Sequence, residues 1–559
     1  MTAKPEPSTG RPRANSPDSS RSIVTEAPIV PKDEILVTSG HIAAQEIDKP
    51  IGTDEARNSN ADGNDVPIQP GQTDDGLYTI FSKPEKIFMV ITAAAIGIIS
   101  PLTGSVYLPA MNDIAADLGV KTSLINLTIT TYQIFQGLAP SFIASLADTH
   151  GRRPAYVTAL AIYLVANLVL ALQHNYAALL VLRCLQSAGS SATIALGSAV
   201  VSDMVTRAER GSYIGWATLS ISLGPSLGPV VGGLLSGYLG WRSIFWFLLI
   251  FGGIMLAIVI AFIPETCRAV VGDGSVRPQK WNISLMQQLQ FRNGGGNQVE
   301  ENRDTITKPK RRPNPLTVLR ILGEPGAGII LGFGSLLFAG YFMVMTTLSE
   351  QLASRFGFDS VKIGICYLPL GIGSLVSRVT AGQLFDWNFR RHARLLGIPL
   401  DLRKQQGIDV FPIERIRLEI CIPMVYISCA TVLAYAWTMQ TNSSLAGIEA
   451  TLFFQGLFFS GALQGLNTLV VDTHADTPAT AVAAYNLCRC LMSAGGTAVA
   501  PLMIERIGVG FMGVFISGVW IAFSPSLWLV LYKGPSWQES QRKRELNDTI
   551  IQQGEDKKV

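Results

Sequence analysis

The sequence predicts an all-α membrane protein whose twelve transmembrane helices form two related six-helix bundles. Composition points there first. Of 559 residues, 48% are hydrophobic and only 15% charged, against roughly a quarter charged in ordinary soluble domains, and the mean hydropathy is +0.31. The charges are crowded into a few segments, which leaves long stretches almost free of them. A span needs about 20 mostly apolar residues, and twelve such runs occur, six on each side of a polar gap. Finally, a short charged pattern that follows the second run recurs after the eighth.

Taken in chain order, residues 1–85 are rich in Pro, Ser, Asp and Asn and show no apolar periodicity, which predicts a disordered tail. The tail has no apolar core of the kind a signal peptide needs, so the first span, starting near Ile87, is expected to act as the targeting signal. Spans are expected near 87–110, 123–147, 155–173, 177–203, 212–238 and 243–264, within an N-terminal bundle over 86–264. Residues 265–325, with their RNGGGNQ and KPKRRP stretches, read as a flexible linker with some amphipathic character. Six more spans follow near 326–350, 361–385, 418–440, 446–472, 480–505 and 509–532, in a C-terminal bundle over 326–532, with a tail at 533–559.

Orientation follows from Lys and Arg placement, because cytosolic loops collect them. Arg152 and Arg153 follow the second span, and Arg207 and Arg210 follow the fourth. Arg390, Arg391, Arg394, Arg403, Lys404, Arg415 and Arg417 follow the eighth. The alternate loops are short and nearly uncharged, so both termini and the linker are assigned to the cytosol. The triplet Asn442-Ser443-Ser444 then falls outside, in a loop too short for glycosylation to be expected.

Several function classes drop out. A net charge of +3 is too small to argue for a nucleic-acid partner. The seven cysteines sit mostly in apolar runs and form no CxxC pair, and no HExxH appears, so neither a metal site nor a disulfide framework is indicated. Without a Gly-x-x-x-x-Gly-Lys-Ser/Thr loop there is no recognisable means of binding ATP. No cofactor and no enzymatic activity are expected, and any pumping should draw on an ion gradient.

The internal repeat is the sharpest signal. ASLADTHGRRP (144–154) and GQLFDWNFRR (382–391) each place an Asp ahead of an Arg-Arg pair at one spacing: Asp148 with Arg152 and Arg153, and Asp386 with Arg390 and Arg391. Parallel repeats of this kind build two-halved transporters. A carboxylate at a helix end can pair with a neighbouring cation and hold two bundles together, then release as they rock. The arginines alone could reflect topology; the repeated Asp is not explained that way. This segment resembles the cytoplasmic-loop signature of the major facilitator superfamily, with Ala144 standing where that family usually has Gly.

Helix 5 carries a second pattern, G-x8-G-x3-GP-x2-GG, in Gly215, Gly224, Gly228, Pro229, Gly232 and Gly233. Glycines let two backbones approach closely and proline kinks a helix. Generic membrane packing would use such residues too, but the full spacing matches the motif associated with the superfamily's antiporters, and so implies export. In helix 4, Arg183 and Gln186 are three apart and share a face. A charge within a span costs about 2.5–3.5 kcal/mol on insertion scales and normally faces a cavity or partner. The segment resembles the superfamily's helix-4 motif, whose Arg is assigned to proton coupling; snorkelling to the interface is the alternative.

Helix 11 repeats the feature with Asn486 and Arg489 on one face. Gln133 and Gln136 in helix 2 and Gln455, Gln464 and Asn467 in helix 10 are further polar candidates, each open to a plain interhelical hydrogen bond. Tyr107, Phe338 and Tyr341 could line a cavity or simply pack. Arg183 and Arg489 read as the two arginines well inside spans with no Asp or Glu close by in their own helices. An acid-bearing substrate could supply the counter-charge, and a proton-coupling carboxylate from another helix is the competing partner, though no obvious mid-membrane Asp or Glu is present.

From about residue 87 to 535 the chain is similar to fungal twelve-span drug:proton antiporters, through YLPAMNDI, GWRSIFWFL and PET (264–266). NLCRCLMSAGG and the long basic loop resemble the branch holding quinidine-resistance and citrate-exporter proteins. The resemblance implies a monomeric plasma-membrane protein that exchanges protons for an organic acid, a secondary metabolite or a drug. An importer on the same fold and a non-transporting membrane sensor are the alternatives.

Overall fold

In the computed structural model the residues described are 81–205, 220–272, 279–292, 321–396, 412–441, 443–474 and 478–534, with isolated positions at 79, 213, 276, 536 and 537. The expectations for most of the two tails, for 293–320 of the linker and for Arg207, Arg210, Gly215, Arg403, Lys404 and Asn442 lie outside them.

The described residues are helical, with no strand among them. Helix α1 starts at Lys83–Ser105, where Ser82 and Glu85 close a capping box and Pro84 occupies the first turn. It continues through a 3-10 turn at Leu108–Ala110 into Met111–Asp117, further than the expected end at 110. Next come α2 (Thr122–His150), α3 (Arg152–Leu172) and α4, which runs through Tyr176–Ser191 and Thr193–Met204 with a break at Ala192. Helices α5 (Ser220–Leu239) and α6 (Arg242–Phe262) complete the first half.

The second half holds α7 (Pro325–Phe356) and α8, which is split at Tyr367 into Ser360–Cys366 and Leu368–Leu395. Helices α9 (Ile413–Gln440) and α10 (Leu445–Thr473) follow. The stretch Pro478–Phe523 turns back at Gly508, giving α11 before that residue and α12 after it.

Nine segments among the described residues are long and apolar enough to cross a bilayer, and the last, Thr480–Gly534, is the α11–α12 pair. The two helices outside that set are α2 and the described part of α5, which carry the pathway and glycine motifs. Large apolar side chains such as Phe142, Val181, Leu239, Val379 and Phe511 stand exposed around the molecule. Lipid, not water, solvates such a belt.

Within the first half, α1 packs on α5 and α4, and α3 on α4 and α6. Within the second, α7 packs on the α11–α12 pair and α10 on α8 and α9. The halves meet where α2 lies against α11 and α5 against α8. One end of the molecule, the basic end, holds Arg152, Arg417 and their carboxylate partners; Asp113, Asp359 and Ser444 mark the opposite end.

Candidate substrate pathway and gates

Arg183 is fully buried, which removes the snorkelling alternative. Its guanidinium lies between two aromatic faces, 4.3 Å from the Tyr107 ring centroid and 4.4 Å from that of Tyr132. Nη1 donates to Gln186 Oε1 at 2.6 Å, Gln186 Nε2 donates to Asn167 Oδ1 at 2.7 Å, and Asn167 Nδ2 donates to the Tyr163 carbonyl at 2.7 Å. Desolvated cation–π contacts are worth about 2 kcal/mol each, enough to offset a transfer cost of about 3 kcal/mol. The site can therefore stand without a carboxylate, and the described ion pairs give it none. Nε and Nη2 remain buried without an acceptor. Nearby on α2, Gln133 is buried with its Nε2 unsatisfied, and Asn126 with both amide atoms unsatisfied.

One helical turn from Tyr132, the Gln136 carbonyl accepts from Asn486 Nδ2 at 3.1 Å, across the interface between the halves. Gln136 Nε2 turns the other way and donates to Ser100 Oγ at 3.2 Å. Asn486 Oδ1 in turn accepts from Arg489 Nε at 3.2 Å and Nη2 at 2.9 Å. Arg489 is half-buried and stands 5.0 Å over the Phe338 ring. Ser100 links the two groups, its carbonyl accepting from the Tyr132 hydroxyl at 3.2 Å and its hydroxyl from Gln136 Nε2. Arg183 and Gln186 on α4 and Gln136, Asn486 and Arg489 on α2 and α11 thus lie along one polar track.

Other polar candidates sit apart from that track. Gln455 accepts a short hydrogen bond from Thr431 Oγ1, an interhelical contact within the second half, and its Nε2 is unsatisfied. Gln464 and Asn467 are half-buried. Tyr341 stacks on Phe459 at 4.2 Å, as core packing does.

Helix 5 makes two close contacts. A Cβ on Gly224 would come within 2.6 Å of Pro101 Cβ, one on Gly228 within 2.0 Å of Ser105 Oγ, and one on Gly232 within 1.8 Å of the Val106 carbonyl oxygen. These three fix α5 on α1. Gly233 faces the other half, where a Cβ would come within 2.4 Å of the Ser360 carbonyl. The carbonyl of Pro229 lies 2.5 Å from where a Cβ on Gly364 would stand. The same pattern that packs one bundle therefore also seats it on its partner.

At the basic end, Arg152 donates to Asp148 at 2.5 Å and to Asp203 at 2.9 Å. Both partners belong to the first half, so here the pair fastens α2, α3 and α4 together and does not bridge the bundles. Arg153 points elsewhere, donating to the carbonyls of Trp281 at 2.7 Å and Ile260 at 3.0 Å. Gly151, at φ +113°, ends α2 and lets α3 start at once. Glu265 fills the space above it and accepts backbone N–H bonds from Arg152, Arg153, Thr266 and Cys267 at 2.8–3.2 Å. Burial pushes the Glu265 carboxyl above its ordinary pKa, and those four donors pull it back.

The second copy of the repeat behaves differently. Phe389 stands where the first has Gly151, α8 runs on unbroken to Leu395, and Asp386, Arg390 and Arg391 are exposed on it. Among the described residues no ion pair joins them. The structural counterpart of Arg152–Asp203 is Arg417–Asp472, 3.1 Å apart between the start of α9 and the end of α10. The sequence repeat misses it because its two residues come from separate segments.

One further expectation is overturned. Arg183 and Arg489 are not the only arginines inside spans: Arg378 lies within α8, half-buried. Near a span boundary, in the first turns of α10, Glu449 has both carboxyl oxygens buried beside the Cys366 thiol. Its signal was available, since it is the sole acid between 446 and 471.

The Major Facilitator Superfamily family model matches residues 93–497. The chain is 42% identical over 506 residues to the MFS-type transporter R5 of Phoma sp., covering 90% of this chain and 94% of the relative. It is 32% identical over 511 residues to citrate exporter 1 of Aspergillus niger, covering 89% and 96%. Among solved structures, the xylose transporter XylE of E. coli in a partially occluded inward-open conformation superposes with a TM-score of 0.55 at 14% identity, covering 81% of this chain and 98% of that one. That last likeness concerns the fold alone.

Proposed function

Because the chain belongs to the major facilitator superfamily and is a membrane-spanning secondary transporter of small molecules rather than an enzyme, we propose that it exports an acid-bearing organic molecule in exchange for protons. The observation that carries this reading is the track from Arg183 to Arg489, which spans both halves and offers guanidinium donors that no described carboxylate neutralises. A carboxylate or phenolate accepts bidentate donation from such groups. Citrate exporter 1 is named for export of an organic acid, which supports the direction and the class. The helix-5 glycine pattern supports antiport.

In this reading the chain is a monomer in the plasma membrane. Its termini (1–85 and 533–559) and its linker (265–325) face the cytosol, as the Lys and Arg placement requires. Bundles at 86–264 and 326–532 rock about the pathway, with Asp148, Arg152, Arg153, Asp386, Arg390 and Arg391 at the cytosolic gate. The cross-half hydrogen bonds gather towards the opposite, outer end: Asn112 Nδ2 donates to the Ser349 carbonyl at 3.3 Å, Ser360 Oγ to Asp113 at 2.5 Å, and Ser226 Oγ to the Gly371 carbonyl at 3.0 Å. That arrangement suits a state closed to the outside.

Metabolite profiling of the medium from cells with and without the gene tests the reading. Loss of one or more organic acids from the medium, with accumulation inside, is expected. Depletion of the same compound from the medium by the transporter, driven by an inward proton gradient, would establish import instead.

A further inference from the structure

The outer end holds an acid that the pathway described above does not use. Glu449 lies on α10 with both carboxyl oxygens buried, and only the Cys366 thiol is placed to donate to them. The titratable groups that face it are the Cys366 thiol on α8, a weak donor, and the Tyr435 phenol on α9, which is buried without a partner. Among the described residues, helix α7 and the α11–α12 pair, which also touch α10, bring no charged group against it. An ionised carboxylate without cation or water is strongly disfavoured there.

Its position connects it to the outer gate. Cys366 is the last residue of the short segment Ser360–Cys366, which the break at Tyr367 separates from the rest of α8. Ser360, at the other end of that segment, donates to Asp113 and to the Pro109 carbonyl at 3.1 Å, both on α1 of the other half. Gly364, in its middle, sits against Gly233 and the Pro229 carbonyl of α5. Seven residues therefore carry the seam between the halves on one face and the lid over Glu449 on the other.

We propose that Glu449 is a proton-binding residue of the transport cycle, neutral while the outer gate is closed and ionised when the Ser360–Cys366 segment lifts and admits water. The proposal rests on the proton-coupled reading above. External acid loads Glu449 and closes the gate, and opening returns that proton to external water, so Glu449 acts as a pH latch on the outer gate while the coupled proton crosses by another group. The acid Asp113, which accepts from Ser360 at 2.5 Å and Ser236 at 2.6 Å, is the competing titratable group at the seam.

Hydrogen–deuterium exchange on the full-length protein in nanodiscs, followed from weakly acid to weakly alkaline pH and corrected for intrinsic exchange, reads the gate without a cargo. Amides of 106–117 and 360–366 should lose protection as pH rises, the opening constant growing by up to about tenfold per pH unit, the limit for linkage to one proton. Glu449→Gln, which mimics the neutral acid, should stay protected throughout, and Glu449→Asp should keep the pH response. A Glu449→Gln protein that follows the wild type overturns the proposal and moves the proton to Asp113. Wild-type protection that does not vary with pH overturns it too, whether or not the Gln variant folds. Vesicles in which the wild type ignores a pH gradient would overturn the proton-coupled reading instead. Flat protection together with gradient-driven transport would remove Glu449 alone.

Discussion

Replacing Gly232 by Ala adds one methyl group where the structure has no room for it. The new Cβ would stand 1.8 Å from the Val106 carbonyl oxygen and 2.8 Å from its carbon. Ordinary contact needs more than 3 Å, so α1 and α5 must separate by over an ångström along their shared face. A backbone carbonyl cannot swing aside as a side chain can, so the strain falls on the helix pair. Overpacking costs about 1–3 kcal/mol, and a displaced backbone puts this site at the top of that range. An exposed helical Gly→Ala change instead gains up to about 1 kcal/mol. Gly253→Ala supplies that control, since a Cβ there meets nothing within 4 Å. Thermal unfolding of the purified proteins should show Gly232→Ala several degrees below wild type and Gly253→Ala at or above it. Export by Gly232→Leu should collapse. A Gly232→Ala protein with native melting and native transport would refute the close-contact argument.

The basic end yields three more. Asp203→Asn strips a buried partner from Arg152 (side chains 12% and 15% exposed) and should cost about 3 kcal/mol. Asp148→Asn, at a side chain 53% exposed, should cost under about 1 kcal/mol yet slow transport if Asp148 gates; equal unfolding midpoints for the two variants would contradict this. Gly151→Ala should unfold near the Asp203→Asn protein or below it, because a Cβ would meet Glu265 Oε2 at 2.2 Å and the φ of +113° suits glycine alone. Arg489→Lys should weaken transport of an acid substrate at least tenfold in kcat/KM, because an ammonium cannot reproduce guanidinium geometry; unchanged kinetics would remove Arg489 from the pathway.

Much of the architecture was legible in hydropathy, because a bilayer imposes span length on every helix. Breaks within spans were not. The 3-10 turn at Leu108–Ala110, the break at Ala192 and that at Tyr367 leave hydropathy unchanged. The turn at Gly508 falls in the gap between the spans expected near 480–505 and 509–532. The site was legible where a charge stood in an apolar run, as with Arg183 and Arg489. It was obscured where function needs two distant segments, as in Arg417–Asp472, or where an acid stands near a span boundary, as Glu449 does. The repeated Asp-to-Arg-Arg spacing suggested equal halves, but Gly151 and Phe389 dictate different local backbones. One residue decides whether the two arginines begin a new helix or remain on the old one.

The function proposed for this protein is proton-driven movement of an acid through the arginine track. Its most direct test is uptake of radiolabelled citrate, and of a panel of monocarboxylic and phenolic acids, into inside-out vesicles with an acidic lumen, with a cationic dye in parallel. Accumulation of at least one acid by wild type, its loss on collapsing the pH gradient, its near-abolition in Arg489→Ala and no uptake of the dye are predicted. Gradient-driven uptake of the dye, with every acid ignored and Arg489→Ala without effect, would contradict that function.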